Sequence, residues 1–222
     1  MDWSVITDNA GVIFDATLMT IWISASTIVL SLVLAFPLAV MRDGPVAFLR
    51  GVAAFFSWFM RATPALTLLF FTYFGLPQLG IYLDAVPAAI VGLTLSAAGY
   101  NMEYIRSGLR SVPANQYEAA RALGMPSAMI LRRIIVPQAI RTIMPPLTSN
   151  LTLVMKGSSL AGMVAVTELT GAGMALISET YKPIEILLVI GVIYLILNGI
   201  LIRLQKWVEY RLSFERLAAD GR

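Results

Sequence analysis

Five stretches of this chain, residues 16–41, 62–83, 85–102, 142–155 and 186–202, contain no Asp, Glu, Lys or Arg. Crossing a hydrocarbon core of roughly 30 Å takes about 20 helical residues. The first two stretches therefore suffice alone, the third and fifth fall marginally short, and the fourth needs its flanks. The pattern predicts an all-α integral membrane protein with five transmembrane helices. The second span starts before Arg61 and the fourth runs past Lys156.

Composition strengthens this reading, because 58% of the residues are hydrophobic and only 13% are charged, where soluble domains carry about 25% charge. The mean hydropathy is +0.79. Basic residues then orient the spans, since Lys and Arg near helix ends stay in the cytoplasm. Arg42 and Arg50 follow the first span; Arg106, Arg110, Arg121, Arg132, Arg133 and Arg141 cluster around the loop after the third; Arg203, Lys206, Arg211, Arg216 and Arg222 lie in the C-terminal tail. The opening segment holds Asp2, Asp8 and Asp15 and no cation. The N-terminus is thus expected outside and the C-terminus in the cytoplasm. A net charge of +3 needs no nucleic acid to explain it, because the insertion rule itself produces a basic inner face.

The first apolar run is long enough to span and lacks a basic leader, so it reads as a helix rather than a cleaved signal. The chain has no cysteine and no histidine, which removes disulfides and the usual zinc and His-based catalytic sets. With no repeat or low-complexity linker, residues 1–222 read as a single transmembrane domain.

Between the third and fourth spans lies a polar loop of about residues 107–137. Ser111, Val112 and Pro113 signal a helix start, Gly124 a left-handed stop, and Pro126 the first turn of another helix. Met129, Ile130, Ile134 and Ile135 then stand beside Arg132 and Arg133. Two short helices meeting at an elbow are predicted. A basic amphipathic hairpin could lie on the membrane surface without any partner. The cluster Glu118, Ala119, Ala120 and Gly124 suits docking instead, with small side chains for close approach and one carboxylate for a polar contact.

Glu118-Ala119-Ala120, Gly124, Ile134, Val136 and Pro137 resemble the EAA signature of ABC importer permease subunits, with Val136 where that signature has leucine. The likeness covers most of the chain and narrows to the branch importing polar amino acids and opines. "MRATPALTLLFFTYFGLP" resembles that branch's arginine-glycine-threonine-proline segment, with Ala62 in place of glycine. "YNMEYIRSGLRSVPANQYEAARALGM" is similar to its third helix and loop, and "MKGSSLAGMVAVTELTGAG" to its lysine-x-x-serine-leucine and glutamate-leucine-threonine segment. Gly157 departs from the acidic or amide residue more usual there, so any role of that side chain is left without a carrier.

The resemblance implies a type I ABC importer permease fold in a bacterial inner membrane. Coupling helices between the third and fourth spans would enter a cleft of an ATP-hydrolysing subunit, through Glu118, Ala119, Ala120, Gly124 and Pro137. The implied partners are a dimer of ATPase subunits, a second permease subunit (a copy or a homologue), an extracytoplasmic substrate-binding protein and membrane lipid, with no nucleic acid. ATP and magnesium belong to the partner ATPase: no G-x-x-x-x-G-K-[ST] phosphate loop occurs here, so the chain is expected to bind no cofactor and to be no enzyme. A secondary amino acid transporter driven by an ion gradient is the main rival, and the coupling loop argues against it. A non-transporting scaffold would leave the intramembrane charges without a use.

Those charges are Arg61, Lys156 and Glu103. Each Arg or Lys near a helix centre costs about 2.5 to 3.5 kcal/mol on insertion scales, which favours a water-filled cavity or a partner. Arg61 precedes Ala62, Thr63 and Pro64, and a proline there frees backbone carbonyls; alternatively Arg61 snorkels to the inner interface. Lys156 lies about 22 Å of helix beyond Arg141, followed by a bendable Gly157 and the hydroxyls of Ser158 and Ser159. It binds a substrate carboxylate, pairs with a carboxylate such as Glu103, or serves a purely structural ion pair. Glu103 has Arg106 at i+3 on its own helix face. Glu168 is expected near the outer end of the fourth span, at a gate or solvated, with Gly171 and Gly173 breaking the chain after it. The aromatic cluster around Phe55, Trp58, Phe59 and Phe74 reads as packing and lipid contact, and the scattered methionines suggest no metal site.

Overall fold

A computed structural model of the chain describes the backbone of residues 3–220 and the side chains of 3–211. Every regular element among these residues is helical. A short α1 (Ser4–Asp8) precedes the long α2 (Ala10–Arg42), then α3 (Ala47–Ala62) and α4 (Ala65–Phe70), which continues through a π turn (Phe71–Gly75) and a 3-10 turn (Leu76–Leu79). Next come α5 (Ala85–Arg110), α6 (Ala114–Ala122), and α7 (Ser127–Ile130), which runs through a second π turn (Leu131–Ile135) into α8 (Val136–Gly157). A 3-10 segment (Ser158–Val164), α9 (Leu169–Thr180) and α10 (Pro183–Asp220) complete the chain.

Three helices, Ala10–Arg42, Ala85–Arg110 and Pro183–Arg211, are long and apolar enough to cross a bilayer alone. Two bent pairs add a span each if counted whole: Ala47–Ala62 with Ala65–Leu79, bent by 105°, and Ser127–Val164 with Leu169–Thr180, bent by 47°. The apolar run at 62–83 is therefore not a straight rod. Pro64 disfavours helical backbone at the residue before it, and Thr63 is extended at φ −88°, ψ 128°.

The polar loop also differs from its expected form. Its first limb, α6, ends as predicted: Gly124 adopts φ +77°, Met125 N–H reaches back to Ala120 C=O at 3.1 Å and Gly124 N–H to Arg121 C=O at 2.9 Å. This double bond pattern is the Schellman closure that favours glycine. The second limb is no separate helix, because α7 winds on through the π turn into α8. Pro137 falls in the first turn of α8, directly after that π turn, where a missing N–H is tolerated.

Small residues on α2 let it pack intimately against α5. Ala16, Thr20, Ser24, Thr27, Ser31, Ala35 and Ala39 recur every three or four positions along its buried face, the spacing that brings membrane helices close. One apolar cluster joins Ala35, Ala39, Ala53, Met102, Ile105 and Ile143 near the loop end of the bundle. A second joins Ile23, Leu69, Ala89, Leu93 and Val164 toward the opposite end. Between them a polar ladder crosses three helices: Asn150 donates to Asn101 Oδ1 at 2.8 Å, and Asn101 donates to Ser31 Oγ at 3.0 Å. Of the aromatic cluster, Phe55, Trp58, Phe59, Phe71 and Phe74 are exposed on the outside of the bundle.

The close approach of α5 to α4 yields a prediction. A Cβ at Gly92 would stand 3.1 Å from Leu69 Cα and 3.0 Å from Thr72 Oγ1, whereas one at Gly51 would meet nothing within 4 Å. Gly92→Val is expected to destabilise the protein by about 1 to 3 kcal/mol, because backbone must move, and Gly51→Val to change it by less than about 0.5 kcal/mol. Thermal unfolding of the two purified variants in detergent measures both; equal midpoints would contradict the described packing.

Candidate functional site

Where the α3–α4 bend faces α5 and α8, a cleft of about 430 Å³ opens. Arg61, Thr63 and Pro64 form one wall, Ser96, Tyr100 and Tyr104 of α5 a second, and Asn150, Val154 and Gly157 of α8 a third. Arg61 stands one residue before the end of the 16-residue α3, so it lies about 20 Å along that helix at 1.5 Å per residue. A Cβ on Gly99 in α5 would approach Arg61 N at 3.5 Å, which places Arg61 beside the middle of α5 rather than at its end. Among the described residues the Arg61 guanidinium makes no ion pair or hydrogen bond; its charge lies within electrostatic reach of Glu103.

The expected pairing of Lys156 with Glu103 does not form. Ser57 donates to Glu103 Oε1 at 2.9 Å and Arg106 Nη1 to Oε2 at 3.0 Å, so one helical turn already supplies the carboxylate's cation. Lys156 is exposed, without an ion pair among the described residues, and next to the lining Gly157. The hydroxyls of Ser158 and Ser159 both turn back on the helix, donating to Met155 C=O and Lys156 C=O at 2.7 Å. Neither serine lines the cleft.

Glu168 is not solvated, since it is fully buried. Its carboxylate caps α9, accepting from Thr170 N–H at 2.9 Å and Gly171 N–H at 2.7 Å, and Tyr194 donates a third bond at 3.0 Å. Gly171 and Gly173 do not break the chain as expected. Both sit inside α9, where a Cβ on Gly173 would collide with Ile190 and one on Gly171 would approach Gly162 Cα at 3.3 Å. The break falls earlier, at Ala165, which adopts φ +61°.

In the polar loop, Glu118 and Ala119 are exposed while Ala120 is buried. The smallness of Ala120 therefore serves the loop's own packing, and of the Glu-Ala-Ala triplet Glu118 and Ala119 face outward. Gly124 and Pro137 are exposed. Tyr117 and Ser127 share a hydroxyl hydrogen bond of 3.0 Å that ties the two limbs together. Leu123 at the elbow is 82% exposed, a projecting apolar side chain that motif matching passed over. Sequence reading also missed Ser96, Tyr100, Tyr104 and Asn150, although the first three recur at i, i+4 and i+8 on one helix face.

Below the cleft, Asp43 in the turn after α2 accepts hydrogen bonds from Arg110 and Arg106. Burial pushes its pKa upward, but the two guanidinium contacts outweigh that and hold it below the ordinary carboxylate range. The carboxylate's contribution to stability is thus fully present above its unfolded value near 3.9, and is lost only as pH falls through the lower folded one.

Residues 27–214 match the family of binding-protein-dependent transport system inner membrane components, and the chain belongs to that family. It is similar to the octopine transport system permease protein OccM of Rhizobium meliloti, at 41% identity over 86% of this chain and 81% of that protein. It is also similar to the nopaline transport system permease protein NocM of Agrobacterium fabrum, at 32% identity over 100% and 96%. Among solved structures, a crystal structure of an amino acid ABC transporter with histidines matches with a TM-score of 0.87 at 28% identity, covering 95% of this chain and 99% of that one. The chain is thus a permease subunit of an ABC transport system, and the arrangement of bent and straight helices is that of an importer permease.

The buried cap supplies a second prediction. Glu168→Ala strands two backbone donors and leaves the Tyr194 hydroxyl its Thr170 Oγ1 partner, and loss of a cap costs about 0.5 to 2 kcal/mol. The thermal midpoint should fall in Glu168→Ala and hold in Glu179→Ala, whose side chain is exposed on the same helix. Identical midpoints would show that the cap carries no stability.

Proposed function

We propose that this chain forms part of the path by which a polar amino acid or an opine is imported across a bacterial inner membrane, driven by ATP hydrolysed on a separate subunit. The observation that carries the reading is the Arg61 guanidinium, which lines the mostly apolar cleft without a protein carboxylate bound to it. An unpaired cation there is costly, and a substrate carboxylate would satisfy it with charge-assisted hydrogen bonds. An amino acid also brings an ammonium group. Pro64 has no N–H to return to the Met60 carbonyl, and Ser96, Tyr100 and Asn150 add neutral acceptors on the facing walls. Lys156 adds a second cation near the cleft, which suits a substrate with more than one carboxylate, as opines have.

The arrangement in the membrane follows from the same residues. Each bent pair counts as one span, giving five, with the N-terminus outside and the basic loop end in the cytoplasm. Glu118, Ala119 and Leu123 then project toward an ATPase dimer, which holds the ATP and magnesium and performs the only catalysis. The cleft opens on one side of a single bundle, so a second permease subunit, identical or homologous, would complete the path. An external binding protein would deliver the substrate.

Two variants test this reading. Arg61→Ala in the reconstituted transporter should raise KM for uptake on the order of tenfold, equivalent to about 1.4 kcal/mol; an unchanged KM would remove Arg61 from substrate binding. Glu118→Lys should leave ATP hydrolysis running while uptake falls, measured as substrate moved per ATP. An unaltered ratio would contradict the coupling role.

A further inference from the structure

At the loop end of the bundle, four charged side chains and one hydroxyl close into a continuous hydrogen-bonded chain that substrate binding does not use. Ser57, buried on α3, donates to Glu103 on α5, and Glu103 accepts from Arg106 one turn further along. Arg106 Nε donates to Asp43 Oδ1 at 3.0 Å. Arg110 meets the same carboxylate side-on, with Nε to Oδ2 and Nη2 to Oδ1 both at 2.7 Å. Two cations thus balance two carboxylates. The two-point fork between Arg110 and Asp43 fixes orientation as well as distance.

The position of this chain matters more than its strength, because exposed ion pairs contribute little to stability. Asp43 lies in the turn between α2 and α3, and Arg50 Nη1 braces that turn through the carbonyls of Gly44 and Pro45 at 3.2 Å. From the turn, α3 runs as one helix of about 24 Å to Arg61 and the bend that forms the cleft wall. On the other side, Arg110 is the last residue of α5 and leads directly to Ser111. The Ser111 hydroxyl meets Thr142 Oγ1 on α8 at 3.1 Å. The cluster therefore joins the start of the polar loop to the base of the helix that carries the cleft wall. Elsewhere α3 meets the bundle mainly through apolar side chains such as Ala53 and Phe56, with one long hydrogen bond from the Tyr100 hydroxyl to the Arg61 carbonyl at 3.4 Å, and smooth apolar contacts permit sliding.

We propose that the Asp43, Arg106 and Arg110 cluster is the strut that carries displacement of the loop into α3 and so sets the opening of the cleft. Asp43 and Arg110 are then positioning residues for transport, acting through α3 without touching substrate. The inference rests on the permease reading above and adds a route by which an ATPase bound at the loop reaches Arg61.

The chain contains no cysteine, so Ala62→Cys supplies a single reporter on the cleft wall. The complete transporter, with its ATPase and binding protein, is reconstituted in proteoliposomes, and labelling by a charged maleimide is compared without nucleotide and after trapping with ATP and vanadate. The labelling rate at position 62 should differ between the two states in the parent, and the difference should disappear in the Asp43→Asn background while ATP hydrolysis persists. An undiminished difference in Asp43→Asn would overturn the strut. Should that variant fail to assemble, Arg110→Gln, which leaves Asp43 its Arg106 partner, decides the matter on the same readout. A parent without ATP-dependent uptake would instead count against the importer reading and take this inference with it; a transporting parent whose labelling ignores nucleotide state would sink the strut alone.

Discussion

Hydrocarbon supplies no hydrogen bonds, so each polar group inside it must find a partner within the protein. The fold answers that constraint at most buried polar positions, with the Thr27 and Thr94 hydroxyls and the Asn198 carbonyl oxygen left over among the described residues. The Asn150, Asn101 and Ser31 ladder satisfies amides across three helices. Glu168 is enclosed by two backbone N–H groups and a tyrosine hydroxyl, and Thr20 accepts from Leu169 N–H at 3.0 Å where α2 meets the start of α9. Against this background Arg61 and Lys156 stand out, because their charges have no carboxylate bound to them among the described residues. The constraint that organises the fold thereby marks the place where a substrate can satisfy what the protein leaves open.

Helix α5 organises the rest. Its small residues accept α2 on one side and the bent α3–α4 pair on another, with Gly99 against Met60 and Gly92 against Leu69. Packing at two levels of one straight helix holds the 105° bend in place, and the bend brings Arg61 and Thr63 opposite Ser96 and Tyr100. The loop end of the same helix carries Glu103, Arg106 and Arg110. Site and loop are therefore carried by a single element about 39 Å long for its 26 residues, the site along its middle and the loop at its C-terminal end.

How much of this was legible in the sequence depends on whether the signal was local. The apolar runs, the Gly124 stop and the EAA likeness are local and led to the family directly. Pro64 announced a disturbed backbone, although its angle depends on packing against α5 that no local pattern encodes. Gly171 and Gly173 looked like breakers because glycine usually is one; inside α9 they are instead close-approach positions, a property set by Gly162 and Ile190. The elbow's second limb was misread for the same reason, since Pro126 starts a helix but nothing nearby says that it continues into α8. Ser96, Tyr100, Tyr104 and Asn150 escaped notice because neutral polar residues in an apolar run look unremarkable until a cavity faces them.

The most direct test of the account is uptake of labelled octopine and a panel of polar amino acids into proteoliposomes that hold this chain with its ATPase, binding protein and any second permease. The account predicts accumulation that requires ATP inside the cytoplasmic compartment and is indifferent to sodium or proton gradients. Accumulation sustained by an ion gradient without ATP would contradict it.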